Sequence, residues 1–228
     1  MSAGFVLDDV VTVLGADDAE GVAGLPTSRA LALYRQMELL RAVDARAESL
    51  REQGRLGEVS RCHGAEAIVV GTLAALGERD WIFPDASTSV AAVLRGMSLR
   101  RWFDHLYGNA SDPTRGKSVP GHLSARAHRV ACVAGRLGMQ LTESVGFAWA
   151  SRAKGDAEVT VAFLDESETA AGDFHNGLNF AGVYRSPLVF VCRSREGSPA
   201  VVHGAAPTVA QRAFAYGIKP ARVDGDDL

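Results

Sequence analysis

The sequence has little cysteine, no dominant charge and no long apolar run. Its three cysteines, Cys62, Cys132 and Cys192, are far apart, odd in number and form no CxxC. That pattern excludes a disulfide framework and a structural zinc site. Lys plus Arg is 24 and Asp plus Glu is 27, a formal net charge of −3. This balance argues against a nucleic-acid arm or a polybasic membrane anchor. No apolar run reaches the roughly 18 residues that a spanning helix needs. The first basic residue is Arg29, and Asp8, Asp9, Asp17, Asp18 and Glu20 precede it. A secretory signal starts basic and a transit peptide is rich in Arg, so the cytoplasm is the expected location. GxxxxGK[ST], GxSxG, HExxH and a GxGxxG after a strand are all missing.

What is present is ordinary for a globular chain: 228 residues, 47% hydrophobic and 22% charged. The length suits one large domain or two small ones at about 150 residues each. Residues 1–27 read as a loosely held arm, and 28–228 as one α/β domain. Leu33, Met37, Leu40, Ala47 and Leu50 recur at helical spacing. They predict a helix capped by Thr27 or Ser28 and running to about Gln53, with Gly54 as its stop. Further helices are expected over 64–76, 88–95, 99–107 (capped by Ser98), 137–153, 172–184 and 208–216. Strands are expected at Asp80–Pro84, Val130–Val133, Glu158–Leu164, Leu188–Cys192 and Ala221–Val223, with a loop over 108–121. Strands alternating with helices predict a mainly parallel sheet with helices on both faces.

In such sheets ligands gather at the carboxyl ends of strands. Two of these ends carry polar clusters: Asp165-Glu166-Ser167-Glu168, and Arg193-Ser194-Arg195-Glu196. Carboxylates after a strand hold a divalent cation, or simply form a solvated loop that caps the next helix. Asp173 offsets the dipole of the helix that follows. Cys62 and His63 are neighbours whose side chains point apart on an extended chain. Trp102 and Phe103 beside Arg100 and Arg101 read as a core face with a solvated edge rather than a base-stacking surface.

Several segments together resemble one family. They are LYRQMELLRAVDARAESLREQGRLG, HGAEA, DWIFP, GKSVPGHLS, QLTESVGFAWASRAKGD, GDFHNGLNFAGVYRSPLVFVCR and AYGIKPARVDGDD. In order and spacing they are similar to the alpha subunit of the thiamine diphosphate-dependent, decarboxylating component of 2-oxo acid dehydrogenase complexes, most like the branched-chain type. The resemblance runs from about residue 28 to residue 228. It implies the thiamine diphosphate-binding α/β fold, here short at the C-terminus. It also implies a beta subunit and a lipoyl-bearing acyltransferase as partners, and thiamine diphosphate with magnesium as cofactors.

Carried over residue by residue, the resemblance assigns cofactor contacts to Leu137, Glu166, Ser167, Arg193 and Arg195, with Glu166 as the metal ligand. The sequence departs from the family at several of these places. The family's Gly-acid-Gly turn becomes Asp165-Glu166-Ser167, so the acid remains and both glycines are replaced. Glycine there permits close approach to a phosphate. The second metal ligand, an asparagine, is Arg195, whose guanidinium has donors and no acceptor. A diphosphate-gripping Tyr-Arg pair is Ala86-Ser87, and a Ser-Pro before Leu137 is Gly135-Arg136. Ala65 replaces a glutamine beside Glu66. The loop 196–207 is shorter than the family's, and neither His175 nor His203 aligns with its diphosphate-binding histidine.

Two unit charges about 4 Å apart interact at roughly 4 kcal/mol for an effective dielectric of about 20. Three carboxylates at 165, 166 and 168 would therefore oppose a diphosphate, and Arg195 is expected to pair with Glu166. Two functions follow from the resemblance. One is a subunit that takes part in decarboxylating branched 2-oxo acids and acylating a lipoyl domain, with impaired cofactor binding. The other is a non-catalytic structural or regulatory subunit, or a gene fragment.

Overall fold

A computed structural model describes residues 10, 11, 25–194, 206 and 208–226. Helix α1 spans Thr27–Glu52 and buries Leu33, Leu40, Val43, Ala47 and Leu50 along one stripe. Its N-cap is Pro26, with no side-chain cap. Thr27 already has helical geometry, so the expected capping by Thr27 or Ser28 does not occur. At the other end Gly54 takes a positive φ of 67°, as the stop requires. Helix α2 is Glu66–Ala74, two residues shorter at each end than expected. The left-handed Gly64 (φ 80°) delays its start.

Strand β1 is Trp81–Phe83. The expected helix 88–95 shrinks to α3, Ala91–Leu94. Helix α4 is Leu99–Tyr107, and Ser98 Oγ caps it by accepting from Arg101 N. Trp102 packs edge-to-face on Phe103 and is 2% exposed, so this is a core face. The 108–121 segment has no regular element. It is pinned by buried Asp112, which accepts from His105 Nδ1 (3.0 Å), Thr114 N and Oγ1 (2.9 and 2.6 Å) and Gly116 N (3.0 Å).

Helix α5 is Met139–Lys154, and the left-handed Gly138 (φ 78°) moves its start past Leu137. Strand β2 is Thr160–Asp165, helix α6 is Gly172–Tyr184 and strand β3 is Leu188–Arg193. A 3-10 turn over Glu166–Ala170 links β2 to α6. Arg152 Nη1 donates to the Tyr184 and Arg185 carbonyls at 2.9 and 2.8 Å, so α5 closes the C-terminal end of α6. The expected helix near 208–216 is α7, Val209–Arg212, continued by a 3-10 turn over Ala213–Tyr216.

Two expected strands reduce to isolated bridges among the described residues. Val130 bridges Ile82 and Ala125 only. The 3-10 turn at Arg126–His128 and the left-handed Arg129 (φ 58°) leave no extended run before it. Among the described residues Val223 bridges Val11. Of the expected arm, only residues 10, 11 and 25–27 lie within the described residues.

The three strands form one parallel sheet in the order β1-β2-β3. Its two faces are buried differently, following the alternation of side chains along β2. Val161 and Phe163 join the core made with α1, α2, α3 and α4. Ala162 and Leu164 join Phe83, Leu141, Phe174 and Leu178 from the α5–α6 side. Helices therefore cover both faces, as a parallel sheet demands. Among the described residues no helix is long and apolar enough to cross a membrane.

Candidate functional site

The register of the sheet builds the site. Asp165 pairs with Arg193 at the last position of the β2–β3 ladder, so a carboxylate and a guanidinium end neighbouring strands. Asp85 follows β1 by two residues. Arg193 Nη2 donates to Asp85 Oδ2 at 2.5 Å and lies 3.9 Å from Asp165 Oδ2. Asp85 and Arg193 are both buried, at 6% and 8% exposure. The other oxygen of Asp85 folds its own turn, accepting from Thr88 N (2.9 Å), Thr88 Oγ1 (2.9 Å) and Ser87 Oγ (2.8 Å).

Glu166 is buried, and its Oε2 accepts from Ser194 Oγ at 2.6 Å. Asp165 Oδ1 accepts from Ser167 N (3.0 Å) and Ser167 Oγ (2.7 Å), capping the 3-10 turn. Glu168 is buried too, and its Oε2 accepts from Gln140 Nε2 at 2.6 Å. Burial, with the Asp85 carboxylate adding to it, pushes the Glu168 carboxyl up to about 7. Burial and the acids at 165, 166 and 168 push the Cys192 thiol up to about 12.

Of the sequence-assigned residues, Glu166, Ser167 and Arg193 meet at this end of the sheet. Leu137 is 57% exposed. Its turn abuts the start of α6, since a Cβ at Gly138 would lie 3.4 Å from the Ala171 Cβ. Arg195 and His203, and with Arg195 the expected pair to Glu166, lie outside the described residues. Asp85 and Gln140 were not singled out from sequence, and Ser194 entered only as a member of the cluster after β3. The strand-end rule points to Asp85 once β1 is counted with β2 and β3.

A second buried polar group lies between α1 and α2. Glu66 accepts from Arg41 Nε at 3.1 Å and from Gly64 N at 2.9 Å. Burial works against its charge, but the N–H groups of Glu66 and Gly64 and the Arg41 guanidinium hold it below the usual carboxylate range. Asp44 is buried beside Cys62, and burial pushes its carboxyl up to about 6. Cys62 and His63 meet Asp44 through their backbone N–H groups. The Cys62 thiol is fully buried and raised to about 12 by burial.

A family model for the dehydrogenase E1 component matches residues 34–228. The chain belongs to this family. Among its relatives, the mouse mitochondrial 2-oxoisovalerate dehydrogenase subunit alpha is 29% identical over 207 residues, 90% of this chain and 47% of the relative. The human counterpart is 30% identical over 207 residues, 90% and 46%. The 3-methyl-2-oxobutanoate dehydrogenase subunit alpha of Mycobacterium tuberculosis is 33% identical over 207 residues, 90% and 54%. The chain spans about half the length of these curated relatives.

The E1 family implies thiamine diphosphate. The donor set of this E1-family chain does not fit a magnesium-held diphosphate. Among the described residues Asp85 and Asp165 flank the Arg193 guanidinium, and the buried Glu166 stands beside them on the turn after β2, so carboxylates crowd the place where a polyanion would sit. Oxygens of Glu166, Asp165 and Asp85 are engaged by Ser194, Ser167 and Arg193. Among the described residues no group of three or more His, Cys, Asp or Glu side chains could hold a metal ion. Asp165 and Ser167 carry side chains where the cradle calls for bare backbone.

Proposed function

We propose that this chain is an alpha-type subunit of a branched-chain 2-oxo acid dehydrogenase component that supplies architecture and partner contacts, with impaired binding of thiamine diphosphate. The observation that carries this reading is the engaged, acid-rich end of the sheet around Asp85, Glu166 and Arg193. The partner is a beta-type subunit. An exposed apolar face on α5 and α6 supports that contact, with Trp149 at 48%, Phe180 at 45% and Val183 at 66% exposure. Tyr184 stacks between Trp149 and Phe180, with ring centroids 5.0 and 5.8 Å away. A groove of about 250 Å³ runs between the two helices. The cysteine usage supports a cytoplasmic location.

A second reading rests on the presence of Glu166 and Arg193 at strand ends. It is a working subunit that takes part in decarboxylating a branched 2-oxo acid and passing the acyl group to a lipoyl-bearing acyltransferase. Calorimetric titration of thiamine diphosphate with magnesium into the chain co-purified with a beta-type subunit separates the two. The proposal expects a stable complex and no magnesium-dependent heat at millimolar cofactor. Micromolar, magnesium-dependent binding that is lost in Glu166→Ala would establish the working subunit instead.

A further inference from the structure

Arg193 occupies an unusual position for a single side chain. It ends β3, its Nη2 bonds Asp85 beyond β1, and the same nitrogen lies 3.9 Å from Asp165 at the end of β2. The other Asp85 oxygen holds the 85–88 turn through Ser87 and Thr88. One guanidinium thus connects the carboxyl ends of all three strands and, through Asp85, the first turn that leaves them.

We infer that Arg193 is a resident cation that clamps the ends of β1, β2 and β3, so that this end of the sheet is ordered by the chain itself without an added ion or cofactor. The inference deepens the proposed function, because it names what closes the site. The clamp is a property of charge as well as packing. Removing one member of a buried ion pair leaves an uncompensated charge, whereas removing both relieves it. Asn at 85 keeps the acceptor oxygen that the Ser87–Thr88 turn uses and replaces the oxygen facing Arg193 by a donor, so D85N removes the charge and the bond to Arg193 and leaves the turn.

The experiment is a double-mutant cycle on the full chain, read by thermal unfolding in buffer with a chelator and no cofactor. R193M and D85N are each expected to lower Tm by about 6 °C or more. The double variant R193M/D85N is expected to melt above R193M. Additive losses, or a double variant no more stable than R193M, would overturn the clamp. If R193M does not fold, the double variant decides. A folded double is then more stable than R193M and supports the clamp, and one that is also unfolded overturns it. The proposed function is tested separately, by adding millimolar magnesium and thiamine diphosphate to the wild-type chain. A rise in Tm there counts against impaired binding and leaves the cycle unaffected. A null coupling removes the clamp and leaves the binding result standing.

Discussion

At the scale of single residues, burial sets the chemistry of the ionisable groups. Asp44 accepts from the N–H groups of Cys62 and His63, but its Oδ2 has no partner. Desolvation without a nearby cation raises a carboxyl pKa, and here the value is about 6. The folded value therefore lies above the unfolded one, near 3.9. The folded state binds the extra proton between these values, so this group stabilises at low pH and its contribution is lost as pH rises through about 6. Asp44→Asn removes the titration. The urea midpoint of D44N relative to wild type should climb from pH 4 to pH 6 and then level off, measured by equilibrium unfolding at each pH. A gap that is flat or shrinks with pH would refute the assignment.

The cysteines follow the same rule. Cys62 and Cys192 are held as neutral thiols with values near 12, and Cys132 alone is exposed. Thiolate is the reactive form. Iodoacetamide on the native chain should label Cys132 first. Cys62 and Cys192 should label only after denaturation, as located by peptide mass spectrometry.

At the scale of elements, close backbone approach decides how the C-terminal segment is held. A Cβ at Gly182 would overlap the carbonyl oxygen of Tyr216. Helix α6 and the 3-10 turn after α7 can pack at this distance only because residue 182 has no side chain. Gly182→Ala should destabilise by about 1–3 kcal/mol and raise amide exchange first in residues 209–226, as read by hydrogen exchange mass spectrometry. Within α6, Gly177 plays a related part towards α5, since its Cβ would stand 3.0 Å from the Leu141 Cβ. Leu141 is fully buried between helix and sheet. Leu141→Ala should cost about 2–5 kcal/mol, measured by urea unfolding.

At the scale of the whole molecule, β2 is buried on both faces and β3 only in part, with Val189 exposed, while the outer face of α5 and α6 stays apolar and exposed. A contiguous exposed apolar patch marks an interaction surface. A charge there should spare the fold and block the partner. Phe180→Asp combined with Val183→Asp should leave Tm within about 4 °C of wild type, since each surface change stays within about 0.5 kcal/mol. It should abolish co-elution with a beta-type subunit in size-exclusion chromatography. Retained co-elution would place the contact elsewhere.

Much of this was readable in the sequence because the signals are local. Helical spacing of Leu33 to Leu50, the Ser98 cap, and the EVTVAFL and LVFVC runs located α1, α4, β2 and β3 within a few residues. The segment order carried the family. Two strands failed, at Val130 and Val223, because a short apolar run does not reveal a left-handed Arg129 before it or a lone partner such as Val11 opposite it. The site was legible as chemistry and not as geometry. The sequence by itself determined that acids and arginine stand at strand ends where glycine and asparagine belong to the family's pattern. Only the tertiary structure decided that Arg193 reaches Asp85, 108 residues away, because the β1-β2-β3 order brings those ends together. Burial then makes that pairing necessary, since a lone charge there would have neither water nor a partner.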